Sequence, residues 1–258
     1  MTVIWIVLPG LAETPEEFGR VVELLPGQDV RVIDPWRTPI TSDVDELRTA
    51  ASLPAGAEVG LVGHSIGGLA ALRWALTRPL EVTRLVLVDT SLTSEIGWRG
   101  LYPGTRGDRA ARAFLRFLGR IGGPQLLGPR LRRLFVRIGS RSNHDLLSKA
   151  TARARYGAAA SWLLFWDELA SSWELAAEVA KLVAGPVGAL APTTLLVATG
   201  GTSRFTAARW LAAQRRLATT LSGTLDVLPD SAHLMHLDRP DAIAAAVVYR
   251  NGRGSAYE

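Results

Sequence analysis

Cysteine is absent from the 258 residues, which excludes a disulfide framework, a thiol nucleophile and any cysteine-ligated metal site. Histidine occurs only four times, at spacings that form no ligand cluster. Long apolar runs are also missing. The stretch from Met1 to Leu8 carries no basic leader and is stopped by Pro9-Gly10, too short for a signal peptide or a membrane span. These absences together predict a cytoplasmic protein. Lysine is nearly absent as well, since Lys149 and Lys181 are the only lysines among 29 basic residues. What remains is ample: 48% of the chain is hydrophobic, enough for a sizeable core in one α/β domain with an insertion.

The positive charge is unevenly placed. Thirteen arginines lie between Arg99 and Arg155, against the two acids Asp108 and Asp145. Such a stretch suits an anionic partner, because arginine grips phosphate with two parallel hydrogen bonds and its field speeds encounter. An acidic carrier protein or a coenzyme A thioester fits that description. A solvated arginine-rich surface with no partner is the equal alternative. Nucleic acid is not expected, because the arginines are interleaved with aliphatic helix faces and no nucleic-acid motif is present.

The most specific local signal is Gly63-His64-Ser65-Ile66-Gly67. It follows the apolar run Val59 to Val62 and opens the helical pattern Leu69 to Leu76, the strand, turn and helix that G-x-S-x-G requires. A serine exposed on so sharp a corner needs small neighbours, which Gly63 and Gly67 supply. The helix that follows points unpaired backbone N–H groups at whatever anion forms above the hydroxyl.

Apolar and amphipathic runs alternate through the first third of the chain: Val3 to Leu8, Glu16 to Leu25, Val30 to Ile33, Val44 to Ala51 and Val59 to Val62. That order predicts a parallel sheet with helices on both faces. Thr14-Pro15-Glu16-Glu17 has the form of a capping box, so a helix should begin there. Further strands are expected over Val82 to Val88, ending at Asp89, over Thr193 to Ala198 and over Thr224 to Leu228. Between Ser91 and Ala191 helical patterns replace them: Asp108 to Leu118, Pro124 to Ile138, His144 to Arg155, Ala158 to Ala170 and Glu174 to Val183. The expected organisation is a core over 1–90 and 192–250, a helical lid over 91–191 and a flexible tail over 251–258. The lid's aromatic residues should mostly fill its own core, with some facing Ser65. Trp162 and Trp166 are candidates for lining a pocket, and so is His64 beside the serine.

With Ser65 after the third strand, Pro9-Gly10-Leu11 after the first and Asp230-Ser231-Ala232-His233 after the last, the chain resembles the α/β-hydrolase family. Ala232 to Asp241 is similar to that family's late histidine loop running into its last helix, and nucleophile before histidine is its chain order. The resemblance implies an α/β-hydrolase-like, mostly parallel sheet of about six strands. It also implies Ser65 as nucleophile, His233 as base, and the backbone N–H groups of Ile66 and Leu11 as an oxyanion hole. It departs at the acid. The family's usual aspartate follows the strand ending at Ala198, yet Gly200 to Phe205 contains no carboxylate and Ser203 stands in its place. Asp89, at the end of the strand beside the serine strand, is the candidate partner for His233, as in several thioesterases of the family. The competing reading is that Asp89 only caps the turn at Thr90-Ser91.

The function that follows is acyl transfer from, or hydrolysis of, an ester or thioester through an acyl-serine, on a small-molecule acyl substrate and with no metal or organic cofactor implied. Two other classes stay open on these residues. One is a non-hydrolytic enzyme of the same fold, catalysing a cyclisation, elimination or rearrangement. The other is a ligand-binding member without turnover.

Overall fold

The computed structural model of the chain describes residues 3–95, 97–185, 188, 190–201 and 204–248. Six strands form one sheet: β1 (Ile4–Leu8), β2 (Asp29–Val32), β3 (Val59–His64), β4 (Val82–Val88), β5 (Thr193–Ala198) and β6 (Thr224–Leu228). Their order across the sheet is β2-β1-β3-β4-β5-β6, and every neighbouring pair is parallel. Strands β3 and β5 are buried at every position, which is why they read as unbroken apolar runs. The reversal of direction of chain progression falls at β1 and β3, so the carboxyl ends of β1, β3 and β4 meet along one edge, where an α/β sheet collects its ligands.

Helices cover both faces. One core cluster packs Leu61, Leu85 and Leu195 against Leu69, Leu72 and Trp74 of α3 (Ile66–Thr77) and Leu175 and Val179. On the other face Val62, Val86 and Leu196 pack against Phe18, Val21, Met235 and Ile243. The Thr14 capping box begins a short 3₁₀ turn, Pro15–Phe18, that continues into α1 (Gly19–Glu23). The Thr14 N–H donates to the Glu17 carboxylate at 2.7 Å. Helix α2 (Val44–Ala50) follows β2.

Among the described residues between β4 and β5 stand a 3₁₀ turn, Arg99–Leu101, and four α-helices: α4 (Arg106–Arg120), α5 (Gly123–Gly139), α6 (Lys149–Tyr156) and α7 (Ala159–Ala184). Two expectations change here. Helix α6 begins at Lys149 rather than His144, because the Ser148 hydroxyl caps it by accepting from the Thr151 N–H at 3.0 Å. The expected break before Glu174 is absent, and α7 runs through. No glycine or proline interrupts it, and the Ser172 hydroxyl donates back to the Leu169 carbonyl at 2.7 Å. After β5 come α8 (Arg204–Thr220), α9 (Met235–Asp238) and α10 (Pro240–Val248). No described helix is long and apolar enough to cross a membrane. Ser203 and the tail 251–258 lie outside the described residues.

Candidate active site

Ser65 stands between the end of β3 and the start of α3 with φ 53° and ψ −121°. That conformation costs an L-residue about 1–3 kcal/mol and persists only where the surroundings enforce it. Here the Ser65 N–H donates to Val88 O at 3.2 Å, and Ser65 O accepts from the N–H groups of Gly68 and Ser91, both at 3.0 Å. The flanking glycines are sterically required. A Cβ on Gly63 would overlap the Gly67 carbonyl, and one on Gly67 would overlap the carbonyl oxygen of Leu8. Ile66 occupies the first position of α3, where a helix leaves its amides without intrahelical partners.

Asp89, just past the end of β4, is buried. Its Oδ2 lies 2.6 Å from Nδ1 of His233, 144 residues away in sequence. Its Oδ1 accepts from the Ala198 N–H at 3.0 Å and from the Trp210 indole N–H at 2.9 Å. Three donors thus fix the carboxylate, and Trp210 on α8 is a contributor that nothing local in the sequence signals. With Nδ1 engaged, Nε2 is the free nitrogen of a side chain that is 45% exposed.

The His233 loop is tied down by Asp238. That carboxylate accepts from the Ala232 N–H at 2.9 Å, the Ser140 hydroxyl at 2.6 Å and the Ser142 N–H at 2.9 Å. Burial would raise the Asp238 pKa, but these bonds, with one from the Arg141 N–H at 3.0 Å, outweigh it and hold the carboxyl below its usual range. The Leu234 N–H also donates to Gly139 O at 2.6 Å, so the histidine loop and the C-terminal end of α5 are joined.

His64 is not in the cavity wall, contrary to expectation. It ends β3 pointing inward and is fully buried, because side chains alternate along a strand and Ser65 faces the opening. Its Nδ1 lies 2.7 Å from Oε1 of the buried Glu13, and its Nε2 donates to the His233 carbonyl at 2.7 Å. Glu13 Oε2 in turn accepts the Gly10 N–H at 2.5 Å. Burial alone would raise the Glu13 pKa, but the charges of His64 and His236 together with the hydrogen bonds from His64 and Gly10 outweigh it and hold the carboxyl well below its ordinary value. Burial disfavours His64 cation, and Glu13 reverses the balance and raises its pKa. This pair therefore links the loop after β1, the serine turn and the histidine loop.

Glu13, His64 and His236 present ligand atoms within 4.8 Å of one another. Two ligands of one tetrahedral zinc ion sit roughly 3.3 Å apart at ordinary bond lengths. The 2.7 Å between Glu13 and His64 is instead the separation of a shared proton. His236 stacks on Phe18 with ring centroids 4.4 Å apart, a packing role. Arg132, one of the thirteen arginines between Arg99 and Arg155, is buried and paired to Glu17 at 2.6 Å, so it is withdrawn from any anionic partner.

Ser65, Asp89 and His233 all border one cavity of about 890 Å³, and Leu11 borders it too. Trp162, Phe165, Trp166, Leu169 and Phe135 supply much of its apolar wall. The indole N–H groups of Trp162 and Trp166 are already engaged, donating to Tyr156 O at 3.0 Å and Asp108 Oδ1 at 2.8 Å. Only their hydrocarbon faces remain for a ligand. The Tyr156 hydroxyl donates to Ala12 O at 2.6 Å and so fixes the loop after β1 from the side of α6. Phe114, Phe117 and Phe135 are exposed, so these three do not fill a core of the inserted helices.

The alpha/beta hydrolase family matches over residues 7–246. The chain belongs to that family. Lipase LipV of Mycobacterium tuberculosis is 26% identical over 269 aligned positions, covering 96% of this chain and 92% of LipV. Among solved structures, an alpha/beta hydrolase fold protein from Burkholderia ambifaria superposes with a TM-score of 0.64 at 17% identity, covering 97% of this chain and 91% of that one. A probable hydrolytic enzyme from Pseudomonas aeruginosa gives a TM-score of 0.62 at 16% identity, covering 95% and 84%. The thioesterase domain from the curacin biosynthetic pathway gives 0.57 at 16% identity, covering 96% and 91%. Membership of the family and a sequence relative among lipases support hydrolase activity in general.

Proposed function

We propose that this alpha/beta hydrolase cleaves an ester or thioester with an apolar acyl group through an acyl-serine on Ser65. The observation that carries the reading is the 2.6 Å contact between Asp89 and His233 on the rim of the cavity that Ser65 also borders. In this reading Nε2 of His233 takes the Ser65 hydroxyl proton as Oγ attacks the carbonyl carbon. Asp89 holds the other nitrogen protonated and stabilises the imidazolium. The N–H groups of Ile66 and Leu11 receive the oxyanion. Collapse of the tetrahedral intermediate breaks the bond to the alcohol or thiol, which leaves with the proton from His233. Water, deprotonated by His233, then attacks the acyl-serine, and the acid is released with Ser65 reprotonated. Asp89 replaces the acid that the run Gly200 to Phe205 lacks.

Ser65→Ala should remove turnover of p-nitrophenyl esters of graded chain length, assayed beside acyl-coenzyme A thioesters, by several orders of magnitude. A fluorophosphonate probe should label the parent protein and not the variant. Undiminished turnover in the variant would sink the reading. Preference for thioesters over esters of equal chain length would place the substrate among coenzyme A or carrier-linked acyl groups.

A further inference from the structure

Helix α5 is amphipathic in the reverse sense. Its inward residues, one helical turn apart, are Pro124, Gly128, Arg132 and Val136, while Leu127, Leu131, Leu134, Phe135 and Ile138 are exposed. A soluble helix of this sequence would normally bury its leucine stripe. Two contacts enforce the opposite orientation: a Cβ on Gly128 would overlap the Tyr156 carbonyl, and Arg132 is bound to the buried Glu17. Helix α4 behaves alike, exposing Phe114 and Phe117, with Ile121 just beyond its end, at spacings of three and four that share one face. Nine of the fourteen large apolar side chains exposed among the described residues fall between Phe114 and Ile138. Phe135 and Ile138, 65% and 66% exposed, also border the cavity of Ser65, as does Leu131.

Arginines stand among these side chains. Arg120, Arg130, Arg133 and Arg137 are exposed, and none forms an ion pair among the described residues, in contrast to Arg132 and Arg155. Exposed apolar side chains interspersed with unneutralised cations on neighbouring helices have a specific complement, an apolar layer beneath a negatively charged plane. We propose that the outer face of α4 and α5 docks onto an anionic lipid surface, with the phenylalanines and leucines in the headgroup boundary and the arginines on its phosphates. A second copy of the chain would bring the two sets of arginines together. An acidic carrier protein would answer the arginines and leave the phenylalanines uncovered. Docking would also turn the cavity mouth at Leu131, Phe135 and Ile138 toward the membrane, so that an acyl chain could enter it without crossing water.

The test is co-flotation of the full chain with phosphatidylcholine vesicles and with equimolar phosphatidylcholine and phosphatidylglycerol vesicles. Binding needs no turnover, so it is read with Ser65→Ala protein as well and stands apart from the acyl-transfer reading. Binding to the mixed vesicles should exceed that to phosphatidylcholine by more than about tenfold, since each arginine at an anionic surface is worth roughly fivefold, and should weaken with salt. Two double variants probe the two components, Phe114→Ser with Phe117→Ser and Arg133→Gln with Arg137→Gln. Each should lower binding by about tenfold or more while leaving the melting temperature and the hydrolysis of a short soluble ester unchanged. Three results would overturn the proposal. They are no flotation of the parent protein, binding undiminished in both double variants, or a dimer or acidic acyl-carrier complex that the phenylalanine variant disrupts in a protein that ignores vesicles.

Discussion

Replacing Glu13 by glutamine keeps the shape of a side chain at the centre of the molecule and removes its charge. The Gly10 N–H keeps an acceptor, whereas His64 loses the anion 2.7 Å from its Nδ1. Breaking a buried ion pair from one side costs about 3–5 kcal/mol, and the retained hydrogen bond places this change near about 3. In a domain of this size that is a fall of about 6–12 °C in melting temperature. The loss should depend on pH. The Glu13 pKa is depressed below its ordinary 4.5, so its contribution is present above that pH and lost as pH falls through the folded value. The His64 pKa is raised above its ordinary 6.5, so its contribution is full below that pH and lost as pH rises through the folded value. Both are satisfied between 4.5 and 6.5. The gap between parent and variant, followed by thermal melts, should therefore be largest near about pH 5.5 and narrow as pH rises through the folded value of His64. A loosened Gly10 to Glu13 loop would also misplace the Leu11 N–H, so under the proposed mechanism ester turnover should fall on the order of 10²-fold or more, the effect of one oxyanion donor. A gap that is constant with pH, or smaller than about 1 kcal/mol, would refute the charged pair.

Asp89→Asn should fold and lower kcat for p-nitrophenyl esters by on the order of 10⁴, because the amide favours the wrong histidine tautomer. Near-normal kcat would make Asp89 a structural residue acting through Ala198 and Trp210. Gly67→Ala places a Cβ against the backbone oxygens of Leu8 and Pro9, neither of which can rotate away. It should cost about 3 kcal/mol or more, read by denaturant unfolding, and a variant as stable as its parent would contradict the packing of the serine turn.

The order of strands and helices and the serine turn were legible in the chain because each is encoded within a window of a few residues, whereas the histidine loop was legible only through its resemblance to the family's late loop. Glycines that permit one corner, apolar runs of strand length and a cap at Thr14 act on their own neighbours. The carboxyl end of β4 could be named as the place for an acid, since strand ends are local features. Only the tertiary structure decided that Asp89 meets His233 144 residues away, and that Trp210 completes its hydrogen bonds. The same holds for His64, which the strand's alternation turns inward to Glu13 instead of toward the cavity. Helix α5 shows the physical reason most plainly. Its sequence carries two stripes, one of leucines and phenylalanine and one of Pro124, Gly128, Arg132 and Val136, and helical period alone assigns the first to the interior. Which stripe turns inward was settled by contacts with distant partners, the Tyr156 carbonyl that admits only Gly128 and the Glu17 carboxylate that binds Arg132.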